Sequence, residues 1–241
     1  MLMPASTHTQ YSGRGPILSL LTGAVLAVSL LAVATAPAQA ATNTAAPAAD
    51  AIAAGTTAYR AKDFTAARGH FQRACDGGNV QGCTVVGILL RDGYGGPADP
   101  VGAHSAFRKA CDANSAPGCR HLGFMLRYGA KGVPADLGGS RAAYRKGCDG
   151  GDGLACGSLG GMLSGTEARE AYRKACDQNL PVWCKDYGLM LWNGEGGPQD
   201  STGAQAALTK ACSLGERSAC NIRLTAPPSP LQSPSPSPSP R

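Results

Sequence analysis

The chain has 241 residues, 43% hydrophobic but only 5% aromatic, which is thin for a single globular core and favours units that each pack on their neighbours. Its formal charge of +6 falls to +5 without Arg14, with 21 bases against 16 acids, a surplus too small to indicate a nucleic-acid surface. Ten cysteines, an even number with none in the first forty residues, fit an exported protein in an oxidising compartment.

Residues 1–40 read as a signal peptide: a polar start with Arg14, an apolar run from Ile17 to Ala36, then Ala38-Gln39-Ala40 as a small-residue cleavage site. The run is long enough to span a bilayer, so an uncleaved anchor is the alternative. No cysteine stands near the cleavage site, which argues against a lipid-modified terminus. Residues 41–47 are expected to be a disordered leader, and 48–63 an N-terminal capping helix.

From 64 to 224 the chain repeats. The cysteines fall as Cys75/Cys83, Cys111/Cys119, Cys148/Cys156, Cys176/Cys184 and Cys212/Cys220, each pair C-x7-C, with first members 36, 37, 28 and 36 residues apart. One continuous helix would hold such a pair about 12 Å apart, beyond the roughly 7 Å that a disulfide tolerates, so either the thiols do not pair or the chain turns between them.

The neighbouring columns decide for the turn. Four residues before the first cysteine stand Phe71, Phe107, Tyr144, Tyr172 and Leu208, the buried stripe of a first helix. Two before it is always a base, Arg73, Lys109, Lys146, Lys174 or Lys210, expected to oppose the helix dipole and face water. Asp, Asn, Gly and Ser then crowd the segments CDGGN, CDANS, CDGGD, CDQNL and CSLGE, which close helices and start turns. After the second cysteine, Val86, Leu122, Leu159 and Tyr187, with Leu90, Leu126, Leu163 and Leu191, mark the apolar face of a second helix. Gly87, Gly123, Gly160 and Gly188 share one column of that helix, where another backbone is expected to approach closely. Each bridge therefore staples an antiparallel helical hairpin, for ~2.5 kcal/mol by the chain-entropy estimate.

Gly and Pro loops join the units, except after the third, where Ser164 and Glu167 stand at capping-box spacing and the 28-residue interval reads as a shortened connection. In the fifth unit Leu224 replaces the column glycine and Arg223 an apolar residue, so its second helix is expected to be short or frayed. Residues 225–241, with "PPSPLQSPSPSPSPR", read as a disordered, extended Ser/Pro-rich tail.

The motifs A-x-x-x-[FY]-x-K-A-C-D, C-x-x-x-G-x-x-[LM] and G-G-P-x-D over residues 60–224 resemble the Sel-one-like repeat family, most closely its cysteine-rich Helicobacter branch. That resemblance implies an all-α fold, a right-handed, disulfide-stapled α-solenoid related to tetratricopeptide arrays, and a scaffold for protein interactions. It also implies an alternative, since some members of the branch are described as penicillin-binding proteins with weak β-lactamase activity. A mitochondrial member of similar cysteine pattern has been linked to haem.

No S-x-x-K, K-T-G, S-D-N or G-x-S-x-G is present, so no catalytic residue is assigned. His8, His70, His104 and His121 share no zinc spacing, and no metal or cofactor is expected. Two departures from the repeat point to a partner surface. Trp183 stands just before the second cysteine, where other units carry Gly82, Gly118, Ala155 and Ala219; Trp192 stands eight residues after it, in a column of Arg91, Arg127 and Ser164. Arg108, Arg145 and Arg173 form a basic ladder suited to an acidic partner. The sequence thus describes an exported monomer, periplasmic or secreted, that binds a protein or peptide partner, with no nucleic acid and no membrane unless the signal is retained; a hydrolase of β-lactamase type is the alternative.

Overall fold

The computed structural model describes residues 45–224, which form a run of α-helices: α1 (Ala45–Arg60), α2 (Phe64–Asp76), α3 (Val80–Asp92), α4 (Pro100–Asp112), α5 (Ala116–Tyr128), α6 (Leu137–Asp149), α7 (Gly153–Gly160), α8 (Gly165–Asp177), α9 (Pro181–Asn193), α10 (Ser201–Ser213) and α11 (Arg217–Cys220). The expected signal at 1–40 and tail at 225–241 lie outside the described residues. Where a helix was expected over 48–63, α1 spans Ala45–Arg60. The chain breaks after α1 where Lys62 takes φ +62° and Asp63 caps α2.

Each hairpin is made by one backbone feature. The third residue after the first cysteine is Gly78, Asn114, Gly151, Asn179 or Gly215, and all five have left-handed φ, between +61° and +98°. Only Gly and, at small cost, Asn adopt that conformation readily, so the column reverses the chain. The next residue caps the second helix: Asn79, Ser115 and Asp152 each accept a hydrogen bond from a backbone N–H three residues on. First helices are capped alike, by Asp63, Asp99, Asp136 and Asp200.

The reversal brings the paired cysteines to Cα–Cα distances of 4.4 to 4.8 Å, within disulfide reach. Cys75 is bonded to Cys83, Cys111 to Cys119, Cys148 to Cys156, Cys176 to Cys184 and Cys212 to Cys220, so every bridge stays inside its own unit and none of the ten is free. The bridges are also part of the core. Cys83 is 4% exposed and Cys119, Cys156 and Cys184 are fully buried, because the second cysteine lies on the face of the second helix that meets the first; only Cys220, on the shortened last helix, is exposed.

Each helix packs on the next in sequence, so the hairpins stack as a solenoid. Buried apolar residues form three successive clusters along it rather than one centre.

Units interlock through the glycine column, although what approaches is a side chain more than a backbone. A Cβ on Gly87 would lie 2.6 Å from the Phe107 ring, on Gly123 2.8 Å from Tyr144, and on Gly160 2.8 Å from Tyr172. At Gly188 the neighbours are the Leu208 side chain at 3.0 Å and the Ala204 carbonyl at 3.2 Å. Gly55 of α1 seats Phe71 in the same way, at 3.1 Å, so α1 supplies the first hairpin with the surface a preceding unit would provide.

The basic column also differs from its expected role, because its four lysines reach back to the preceding unit, while Arg73 stays on its own helix beside His70. Lys109 lies 3.8 Å from Asp76 and Lys174 3.4 Å from Asp149; Lys146 donates to the Asp112 carbonyl at 3.4 Å and Lys210 to that of Cys176 at 2.7 Å. Each cation thus sits at the negative end of the neighbouring first helix rather than only its own.

The short interval after the third unit comes from the helix as well as the connection. Helix α7 has 8 residues where α3, α5 and α9 have 13, and three further residues are missing from the loop. Gly160-Gly161 ends it early, in keeping with glycine's low helix propensity. The capping box does not form: Ser164 is the N-cap of α8 but makes no side-chain cap bond, and Glu167 pairs with Arg145 at 2.7 Å. In the fifth unit α11 is cut to 4 residues, and Leu224 folds onto the cluster of Cys176, Cys184 and Leu208.

Candidate functional site

The second helices keep their packing columns constant and vary those that face outward. Along that face lie Phe124 and Leu154, which are 48% and 40% exposed. Between them runs a groove of about 650 Å³ lined by Arg91 and Asp92 of α3, Arg120, His121 and Phe124 of α5, Tyr144 of α6, Leu154 and Ser158 of α7, and Trp183 of α9. It spans four hairpins.

Trp183 enters the groove through a paired exception. Its indole rests on Gly157, the residue after a second cysteine, where α3 and α5 carry Thr84 and Arg120; any Cβ at 157 would run into the ring. The ring is half-buried and packs on the cluster of Tyr144, Cys156 and Leu159. Trp183 therefore helps to close the junction and at the same time walls the groove.

The polar groups of the groove are held in pairs. Asp92 accepts from Arg91 at 2.6 and 2.8 Å and is pulled below the usual carboxylate range by that guanidinium. Arg120 Nε donates to Asp152 at 2.9 Å; among the described residues its two terminal nitrogens have no partner. His121 stacks on Phe107 at 5.0 Å, and its Nδ1 lies 3.3 Å from Arg91 Nη1. Arginine can only donate, so Nδ1 accepts and the ring proton is assigned to Nε2. Burial, then the charges of Arg120 and Arg91, lower the His121 pKa from 6.5 to about 4, so the ring is neutral near neutral pH. Burial also pushes the Tyr144 phenol up, against the Ser158 hydroxyl.

The other candidates lie elsewhere. The cysteines Cys75, Cys83, Cys111, Cys119, Cys148, Cys156, Cys176 and Cys184 are closed off from solvent and oxidised, so they are not a surface site: they present no thiol to a partner, a metal or a substrate. The Sγ atoms of Cys83 and Cys119, 3.5 Å and 3.6 Å from the carbonyls of Cys75 and Cys111, have no proton left to donate. Their role is to hold the two helices of a hairpin together behind the groove.

Trp192 is nine residues from Trp183 on α9, half a turn away around the axis and ~13 Å along it, so the two rings do not share a surface. Arg108, Arg145 and Arg173 sit on first helices and have partners: His104 at 3.3 Å, Glu167 at 2.7 Å, and both Glu170 and Asp177 at 2.6 Å. The ladder is a set of exposed local pairs, separate from the groove. His70 has Arg73 at 2.8 Å, and no group of three His, Cys, Asp or Glu among the described residues has metal-binding geometry. A second cavity of about 430 Å³ opens where α7 stops short; it is lined by Tyr172, Asp186 and Glu195, and burial raises the Asp186 pKa.

Of the residues that line this groove, sequence reasoning singled out Trp183 alone as a partner-surface candidate; Arg91, Asp92, Arg120, His121, Phe124, Tyr144, Leu154 and Ser158 were not read that way. The available signal was variation within a column: two residues past the second cysteine stand Val85, His121, Ser158 and Asp186, a set that packing alone does not require.

No protein-family model matches the chain, and neither does any curated protein. Solved structures do match. A protective antigen of uropathogenic Escherichia coli strains, described as displaying an SLR fold, superposes with TM-score 0.66 at 24% identity, over 71% of this chain and 39% of that one. A Sel1 repeat protein from Oxalobacter formigenes gives 0.64 at 22% identity, over 68% of this chain and 71% of that one. This chain thus spans well under half the length of the E. coli antigen. Helicobacter pylori cysteine rich protein B aligns at 24% identity over 65% of this chain and 96% of that one, with a TM-score of 0.27. The class is accordingly an all-helical repeat array stapled by a disulfide in every unit. Its fold is the Sel1-like repeat fold, as a scaffold of stacked hairpins.

Proposed function

We propose that this protein is an exported repeat scaffold, periplasmic or secreted, that binds a protein or peptide partner in the groove along its second helices. The observation that carries the reading is the Trp183/Gly157 exception: an indole replaces a small residue in one unit, a glycine in the preceding unit makes room for it, and the ring faces a groove with Phe124, Tyr144 and Leu154. Half-exposed aromatic anchors beside donors with free valences are what binding hot spots are made of. Five formed disulfides support an oxidising compartment. No helix among the described residues is long and apolar enough to cross a membrane.

The test is a displayed peptide library selected against the full chain under oxidising conditions. Selected peptides should bind at least about tenfold more weakly to Trp183→Ala, and equally to Trp192→Ala. Equal binding by both variants moves the site elsewhere. Turnover of a chromogenic cephalosporin that co-purifies with the protein would replace this reading with the hydrolase alternative.

A further inference from the structure

The groove has a candidate occupant in the same polypeptide. We infer that the Ser/Pro segment within residues 225–241 docks in cis into the groove of the second helices, so that a partner must displace it. The inference rests on the groove being a peptide-binding surface.

Three observations carry it. The first is the exit point: α11 is the last of the second helices, it stops after 4 residues, and Leu224 is packed on the cluster containing Cys184, the chain neighbour of Trp183. The chain is thus released at the end of the helical row that carries the groove. The second is reach. Helices α3, α5 and α7 touch in succession, so at about 10 Å per step the path from α11 back to α3 needs roughly 40 Å. At the polyproline II rise of about 3.1 Å per residue, the length of sequence after Leu224 is enough to reach ~50 Å.

The third is chemistry. Pro227, Pro228, Pro230, Pro234, Pro236, Pro238 and Pro240 have no N–H, so this segment is rich in carbonyl acceptors and poor in donors, and polyproline II leaves those carbonyls unpaired. The groove is the complement: aromatic faces at Phe124 and Trp183, and donors at the Trp183 indole, the free end of Arg120 and His121 Nε2–H. The segment carries no acidic side chain that would compete for these arginines. Register is also permissive. A two-residue Ser-Pro repeat on a threefold helix places alternating Ser and Pro along each of its edges, so sliding by two residues restores the same contacts. Tethering raises the local concentration to the order of millimolar, so weak contacts suffice.

The chain has two tryptophans, hence two indole N–H resonances in a nitrogen-15 spectrum of the full chain. Trp192→Phe assigns them. The variant Pro234→Gly/Pro236→Gly/Pro238→Gly/Pro240→Gly alters the segment alone and leaves the folded array untouched. Its Trp183 resonance should move while that of Trp192, on the far side of α9, stays. If both stay, the inference falls. A movement that vanishes on about tenfold dilution of the unaltered protein shows docking between copies and overturns the in-cis form. Library peptides should bind the variant several-fold more tightly than the unaltered chain. Equal binding overturns the docking but leaves the groove a binding site, whereas binding to neither removes the reading it rests on.

Discussion

The junction between the first and second units and the junction between the third and fourth solve one packing problem with different lengths of chain. In the first, α3 runs 13 residues to a left-handed Gly93, a long loop follows, and Arg68 donates to the Pro97 carbonyl at 3.1 Å to hold that loop down. Phe107 is then 0% exposed on its glycine seat. In the second, α7 stops after 8 residues, four residues lead into α8, and Tyr172 sits on Gly160 only half-buried beside an open cavity. Both hairpins nonetheless keep their left-handed turn, disulfide and glycine seat. The turn precedes the second helix, and its bridged cysteine and glycine seat lie within that helix's first eight residues, so the last turn acts as cover that can be lost, and Trp183 on Gly157 supplies part of what is missing.

The contrast predicts unequal costs for equivalent changes. Phe107→Ala should lose about 3–5 kcal/mol, and Tyr172→Ala about half of that, in urea unfolding. Equal losses would mean that the last turn of α3 adds no cover. Removing a bridge should cost ~2.5 kcal/mol in either place, because Cys111/Cys119 and Cys148/Cys156 close loops of the same length. A larger loss from Cys148→Ala/Cys156→Ala than from Cys111→Ala/Cys119→Ala would show that the short hairpin leans on its staple. Gly157→Ala should cost about 1–3 kcal/mol through its clash with the Trp183 indole, despite alanine's better helix propensity. Adding Trp183→Ala should return part of that loss, and additivity of the two would separate the pair.

His121 gives the regular side of the comparison a pH signature. Its pKa in the folded chain is depressed from 6.5 to about 4, so the unfolded chain takes up the proton first as pH falls. Stability is therefore lost between about pH 6.5 and 4, on the order of 1 kcal/mol after solvent screening, with the full contribution present above that window. The difference between the unaltered chain and His121→Gln in urea midpoint should change across it; a constant difference removes the assignment. The smallest effect belongs to Arg145→Ala, whose exposed pair with Glu167 should contribute less than about 0.5 kcal/mol.

The parts of the fold that recur five times were legible because each column repeats one physical demand. Cysteine spacing, turn residues and the apolar stripe together defined the clipped hairpin. The spacing could not show that Cys83 and Cys119 would be sealed inside, since that depends on which face of the second helix meets the first. The glycine column was visible as a close approach, but one helix alone could not show that an aromatic ring from the next unit fills it. The lysine column was read within its own helix, and its actual target, the preceding helix end, is set by the stacking offset. The early stop of α7 was hidden because Met162 and Leu163 continue the apolar pattern past the point where Gly160-Gly161 breaks the helix. At the candidate site, Trp183 stood out as a substitution in a constant column. Its glycine partner lies 26 residues earlier and only stacking pairs them.

Every covalent cross-link in the array closes over a separation of 8 residues. If the chain is exported as proposed, threaded through a membrane from its amino end, each sulfur would meet its mate almost as soon as both emerge, while the sulfurs of later units are still on the other side. Correct oxidation becomes a matter of timing rather than of sorting among many thiols. Whole units can then be gained or lost in evolution without disturbing the bonds of those that remain.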